Sequence, residues 1–388
     1  MLNIPTIKKA MQQLGLNQVS LAEECQVSKE SVSNWLSGES IPRPNKLKAL
    51  AQALQLEVQR LLLPAVAEPI VAYRTRNNRP VSVEAFEAAN DLAYHLRQLV
   101  PFIQRTPIFA PPVLESPRVE EEYIREAVRQ IRSRIGIPMT QPLTREQLLG
   151  LHHDFGSLLV PVLWGKDKDG HENALSVYLP DSRTSWVVFN LNARNDDFNY
   201  WLAHELGHCY TLHALQGQDG EDFAERFAQE LLFPMEAAVE ALALITSHPQ
   251  PREAASRYAG RHELSVVTVV KQLDRAAEIL GQPPTGLVDK RFWVSWRSTR
   301  ALVPTVTESV FGLSEMSTAE YVIKSEDHFK TPVFRALAQW QRSEGGRSPA
   351  FIANALNVEL GLALDLSHFL LELHEPVMEL TGSSKSRL

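Results

Sequence analysis

Cysteine is nearly absent, with two residues in 388, Cys25 and Cys209, and no CxxC pair. That excludes a disulfide framework and a cysteine-based zinc ribbon, and it suits a reducing cytoplasm. No excess of positive charge coats the chain either. The formal net charge is −7, so any binding to nucleic acid has to come from a local basic face. Long apolar runs are missing. Neither a signal peptide nor a membrane span is expected, so the expected place of action is the cytoplasm, with no membrane partner. What remains, 44% hydrophobic and 22% charged residues, is the composition of an ordinary globular protein long enough for two or three domains.

The apolar pattern predicts a mostly α protein with a small mixed β-sheet. Residues 1–66 read as a helical bundle. In LAEECQVSKESVSNWLSG, the residues Leu21, Ala22, Cys25, Val27, Val32, Trp35 and Leu36 recur at helical spacing. Ser28 stands where a cap would start the second helix and Gly38 where that helix would stop. Residues 67–118 read as a helical and proline-rich connector, with three arginines in VAYRTRNNRP and breaks at Pro101, Pro107, Pro111, Pro112 and Pro117. Residues 119–245 hold a helix, short apolar runs, the β-rich TSWVVFNLN and two more helices. Residues 246–285 are helical again. Residues 286–388, with Trp293, Trp296 and β-branched runs, read as a C-terminal α/β region suited to a sensor or a homodimer interface. One echo is internal. LAEECQVSKESVSNWL (21–36) aligns without gaps to YAGRHELSVVTVVKQL (258–273), but Val266, Val267 and Val270 replace polar residues, so a packing role is expected for the second copy.

The chemistry concentrates in YWLAHELGHCYTLHAL. His204 and His208 are four apart, so on a helix they project from one face within reach of one metal ion. Glu205, next to the first, is placed to take a proton from metal-bound water. Asn195, Asp196 and Asp197 offer caps for the helix. A catalytic zinc needs three protein ligands and one open position. His213 lies nine positions after His204 and points to the opposite side, while Cys209 sits about 100° from His208; both read as structural. In EDFAERFAQELLFP, an apolar stripe runs through Ala224, Phe227, Ala228, Leu231 and Leu232. Glu221 and Glu225 flank it. Glu221 is favoured as the third ligand, with Glu225 as the alternative or as a partner for a zinc-bound histidine. Asp222 and Glu230 read as solvated acids. The strand TSWVVFNLN is expected to pair with an extended peptide. No oxyanion partner is identifiable among Tyr200, Tyr210 and His213.

Two resemblances follow from these motifs. Residues 12–63, from Gln18 through LAEECQVSKESVSNWLSG and IPRP, resemble the helix-turn-helix domain of XRE/Cro-type repressors. Residues 119–245, with WLAHELGHCYTLHAL, EDFAERFAQELLFP and the preceding FNLN, look like the ImmA/IrrE metallopeptidases. The second resemblance implies a zincin-like α+β domain, a zinc cofactor, Glu221 as third ligand and Glu225 as the acid that orients a histidine. Glu225 stands where Asp is commoner in that family, and Phe233 where Met is common. It also implies a narrow substrate, a helix-turn-helix repressor encoded nearby, cut in a stress, DNA-damage or mobile-element response. By the first resemblance, Lys29, Glu30, Ser33 and Asn34 would face bases, and Gln18 and Ser28 belong to the same DNA-binding set. Residues 1–63 carry seven Lys/Arg and five Glu, a net of +2, so the head alone should bind DNA weakly or need a dimer. Two alternatives stay open: a DNA-binding regulator with a regulatory metal, and an antitoxin-like protein whose metal is structural.

Overall fold

The computed structural model of the chain describes residues 2–37, 42–61, 67–72, 83–103, 112–165, 173–300, 302–343 and 348–373. They fall into two units, Met1–Glu68 and Pro69–Leu388. Gly38, the arginines of VAYRTRNNRP, Pro107, Pro111 and the chain beyond residue 373 lie outside the described residues.

In the first unit, helices α1 (Ile4–Leu14), α2 (Gln18–Glu24), α3 (Lys29–Ser37), α4 (Pro44–Ala53) and α5 (Val58–Leu61) enclose Leu21, Cys25, Val32, Trp35, Leu50 and Leu54. Asn17 starts α2: its side chain accepts from the backbone N of Val19 at 2.8 Å and of Ser20 at 3.0 Å, and the Ser20 hydroxyl accepts from Asn17 N in return. Ser28 caps α3 by accepting from Ser31 N at 3.2 Å, as its position suggested. Lys46 on α4 donates to the carbonyls of Cys25 and Gln26 and so fastens the turn between α2 and α3.

The second unit opens with β1 (Ile70–Val71), α6 (Val83–Leu99), α7 (Glu121–Arg134) and α8 (Arg145–Phe155). Strands β2 (Leu158–Val162), β3 (Ala174–Leu179) and β4 (Thr184–Asn190) lead to α9 (Phe198–Thr211) and α10 (Gly217–Leu232). Then come α11 (Met235–Thr246), α12 (Pro251–Arg261), α13 (Val266–Ile279), α14 (Lys290–Arg300), α15 (Thr318–Phe329), α16 (Val333–Arg342), α17 (Pro349–Leu356) and α18 (Leu360–Glu372). The fold is therefore mostly helical with a small mixed sheet. One continuous core runs from Leu92 on α6 to Leu370 on α18, so the segments distinguished by sequence beyond residue 66 share their packing.

Two expectations are corrected here. The sheet order is β1-β3-β4-β2, with β2 parallel to β4 and β3 antiparallel to both β4 and β1. TSWVVFNLN thus supplies the interior strand β4, whose seven residues are all buried, and it has no free edge for a peptide. Its lack of polar alternation is the mark of a strand covered on both faces. The C-terminal region is helical, not α/β, among the described residues; its one β contact is an isolated bridge from Thr305 to Arg194. Aromatic and β-branched residues in KRFWVSWRSTR suggest a strand locally. Asp289 instead starts a helix, accepting from Phe292 N at 2.7 Å.

One corner recurs four times. An alanine stands in the last turn of a helix, four residues after it a polar residue adopts positive φ, and the next apolar residue donates back to the alanine carbonyl. The pairs are Val27 to Ala22, Leu56 to Ala51, Leu264 to Ala259 and Val358 to Ala353, each at 2.9 Å. The left-handed residues are Gln26, Gln55, Glu263 and Asn357, with φ between 50° and 55°. The backbone pattern is a helix stop that satisfies orphan carbonyls and redirects the chain. No single helix among the described residues is long and apolar enough to cross a membrane.

Candidate metal centre

Helices α9 and α10 form a hairpin through residues 212–216. Their close approach depends on Gly207, the second of the two residues between Glu205 and His208. A Cβ there would lie 3.1 Å from Ala224 Cα and 3.1 Å from Phe227 Cδ1, so any larger residue would push α10 away. The apolar stripe of α10 fills the rest of the contact, with Ala224, Phe227, Ala228 and Leu231 fully buried. At the far end of α10 the buried guanidinium of Arg132 donates to the carbonyls of Leu231, Pro138 and Gln141. His152 on α8 holds α9 from the other side. Its Nε2 donates to the Leu202 carbonyl at 3.0 Å, which leaves Nδ1 to accept from the Ser157 hydroxyl at 2.8 Å.

The hairpin brings His204, His208 and Glu221 together, all buried. His208 Nε2 lies 3.1 Å from His204 Nε2 and 3.1 Å from Glu221 Oε1, and His204 Nε2 is 3.5 Å from Glu221 Oε2. A tetrahedral metal with bonds of about 2.0–2.1 Å places neighbouring ligand atoms about 3.3–3.4 Å apart. The two histidine nitrogens approach different oxygens of the carboxylate, and one ligand atom from each of the three residues lies within 4.8 Å of the others. Burial raises the Glu221 carboxyl, but the hydrogen bonds and charges of His204 and His208 outweigh it and hold it down at about 2. Glu221 is therefore a carboxylate at neutral pH, as a ligand must be. The three groups together could hold a metal ion.

Glu205 is also buried. Its Oε2 accepts from the Ser176 hydroxyl at 2.6 Å, which ties the acid of the motif helix to β3. Sequence reading missed Ser176. The available signal was a small polar residue in the run ALSVYL, but its partner is 29 residues away, beyond any local pattern.

Other expected residues fall elsewhere. Glu225 sits one turn after Glu221, is exposed, and lines a cavity beside the site. Glu230 is a correction: it is buried, not a surface acid, and accepts from Gln272 Nε2 at 3.2 Å and Met235 N at 3.3 Å. A second correction concerns the start of α9. Asn195–Asp197 form a short 3-10 turn, and no side chain caps the helix. Asp197 is engaged instead by Arg300 at 2.8 Å and by the Ser265 hydroxyl at 3.0 Å. Cys209 is a buried thiol whose pKa is pushed up by burial, and Tyr210 packs against Phe155 and Phe227.

In the first unit, Ser28, Lys29, Glu30 and Ser33 are exposed, and Gln18 and Asn34 are half-buried. Residues 7–61 match the family model HTH_3, helix-turn-helix. The head is a helix-turn-helix domain. It is of XRE type and supports DNA binding. No curated protein and no solved structure matches the chain.

Proposed function

We propose that the chain is a zinc-dependent endopeptidase whose helix-turn-helix head directs it to DNA or to a repressor of the same type. The observation that carries this reading is the buried His204–His208–Glu221 triangle, with the carboxylate of Glu205 on the same helix. Its two nitrogens and one oxygen are a set that catalytic zinc uses, and a closed structural site more often has four protein ligands. The resemblance of residues 119–245 to the ImmA/IrrE metallopeptidases supports the same assignment, and it rests on the motifs alone. His204, His208 and Glu221 would hold the ion. When bound, zinc supplies an acidified water and a polarised carbonyl.

The chain's own part is to hold and move the proton. Glu205 accepts it on a carboxylate that Ser176 keeps in one orientation, then returns it to the leaving amine. Burial excludes bulk water around both groups. His152, through the Leu202 carbonyl, fixes the helix that carries the motif.

The substrate class proposed is a helix-turn-helix repressor, cut once to relieve repression under stress or on entry of mobile DNA. The experiment is to incubate the zinc-loaded chain, and its Glu205→Gln variant, with repressors encoded beside its gene. Cleavage by the first alone supports the reading. Cleavage by both, or by neither, contradicts it. The match of residues 7–61 favours a second reading, a DNA-binding regulator with a regulatory metal. Tight sequence-specific DNA binding that responds to zinc without any cleavage would select it.

A further inference from the structure

Beside the triangle lies a cavity of about 180 Å³, walled by Tyr200 and Trp201 of α9, Glu225 of α10, Lys271 of α13, and Trp293 and Trp296 of α14. Tyr200 and Trp201 stand one turn before His204, with ring centroids each 6.4 Å from the His204 ring. Glu225 stands one turn beyond Glu221 on the facing helix. A group bound at the metal therefore has the cavity as its neighbour.

Its outer wall is held firmly. Trp293 and Trp296 meet edge to face at 5.8 Å, the Arg300 guanidinium lies 4.6 Å from the Trp296 ring centre, and the same Arg300 bridges Asp197 at the start of α9. Trp296 Nε1 is buried and has no acceptor among the described residues. The aromatic faces of Tyr200, Trp201, Trp293 and Trp296 in a cavity of this size suit an aromatic side chain on a peptide.

We propose that this cavity receives one large aromatic side chain of the peptide bound at the metal, and that Trp296 sets this preference. The proposal rests on the peptidase reading for the identity of the bound peptide, and its test separates the two. The probes are acetohydroxamate, which needs only an open metal position, and 3-phenylpropanehydroxamate, which adds a phenyl group able to reach the cavity. Binding of each to the zinc-loaded full chain is measured by calorimetry, alongside tryptophan fluorescence.

The phenyl probe should bind roughly tenfold tighter than the methyl one and perturb the fluorescence. Trp296→Ala should remove most of that advantage while acetohydroxamate affinity stays the same. Trp296→Phe, which keeps an aromatic face while losing the N–H and the second ring, should retain more of the advantage than Trp296→Ala, and it controls for folding. Equal affinity of the two probes for the wild type would overturn the cavity assignment and leave the metal site standing, as would an unchanged ratio in Trp296→Ala. Failure of both probes to bind the zinc-loaded chain would overturn both.

Discussion

Residues 18–37 and 251–279 are two versions of one corner. Both turn at a left-handed polar residue, Gln26 or Glu263, and both start the next helix at a serine, Ser28 or Ser265. The faces are used in opposite ways. In the head, Lys29, Glu30 and Ser33 are exposed. At the matching positions of the second copy stand Val266, Val267 and Val270, with Val270 1% exposed and the other two packed against the core. The packing role expected for the second copy agrees with this burial. Its Lys271, in the place of Asn34, borders the cavity beside the His204–His208–Glu221 triangle. A shared backbone turn thus carries no function by itself; the side chains on the second helix decide whether it meets solvent or closes a site.

The largest expected difference comes from one matched pair of substitutions. Val270→Lys buries an unpaired charge and should cost about 3 kcal/mol or more. Ser33→Lys, at the equivalent exposed position, should stay within about 0.5 kcal/mol. Calorimetric unfolding of both variants would check this, and equal losses would break the comparison.

Acid should separate the two units next. The head, residues 1–68, contains no histidine. In the second unit, burial lowers His152 from its ordinary value of 6.5 to about 4. Between those values the unfolded chain binds a proton that the folded one refuses. The stabilisation is complete above pH 6.5, declines as pH falls through the window, and is gone near pH 4, a loss of about 3 kcal/mol. Denaturant titrations across that range should show the slope, and His152→Gln should reduce it, the remainder coming from His213, His262 and His328, which burial also lowers.

The caps give the smallest contrast. Ser28→Ala should cost the head about 1 kcal/mol. Ser265→Ala should cost about 2 kcal/mol, since it also removes the hydrogen bond to Asp197. Paired urea titrations would show whether the second corner is the more tightly built.

Much of the centre was legible in sequence because its parts repeat at helical spacing. His204, Glu205 and His208 share one helix, and the apolar stripe of α10 dictates which side Glu221 presents. Ser176 and the aromatic cavity were not legible. Both depend on segments far apart in the chain, and in the case of Trp293 and Trp296 on a helix whose composition suggested a strand. Glu230 was misread for the same reason: its burial is created by Gln272 and the start of α11, not by anything within EDFAERFAQELLFP. TSWVVFNLN was legible as a strand, but its interior position depends on β2 and β3 pairing on either side.

X-ray absorption at the zinc edge of the zinc-loaded chain reads the ligands of the His204–His208–Glu221 centre itself. The spectrum should show imidazole scattering from two histidines, nitrogen and oxygen ligands at about 2.0–2.1 Å, and no sulfur. Glu221→Ala should weaken zinc binding while leaving the fold intact. A sulfur shell near about 2.3 Å, or zinc bound equally well without Glu221, would contradict this assignment.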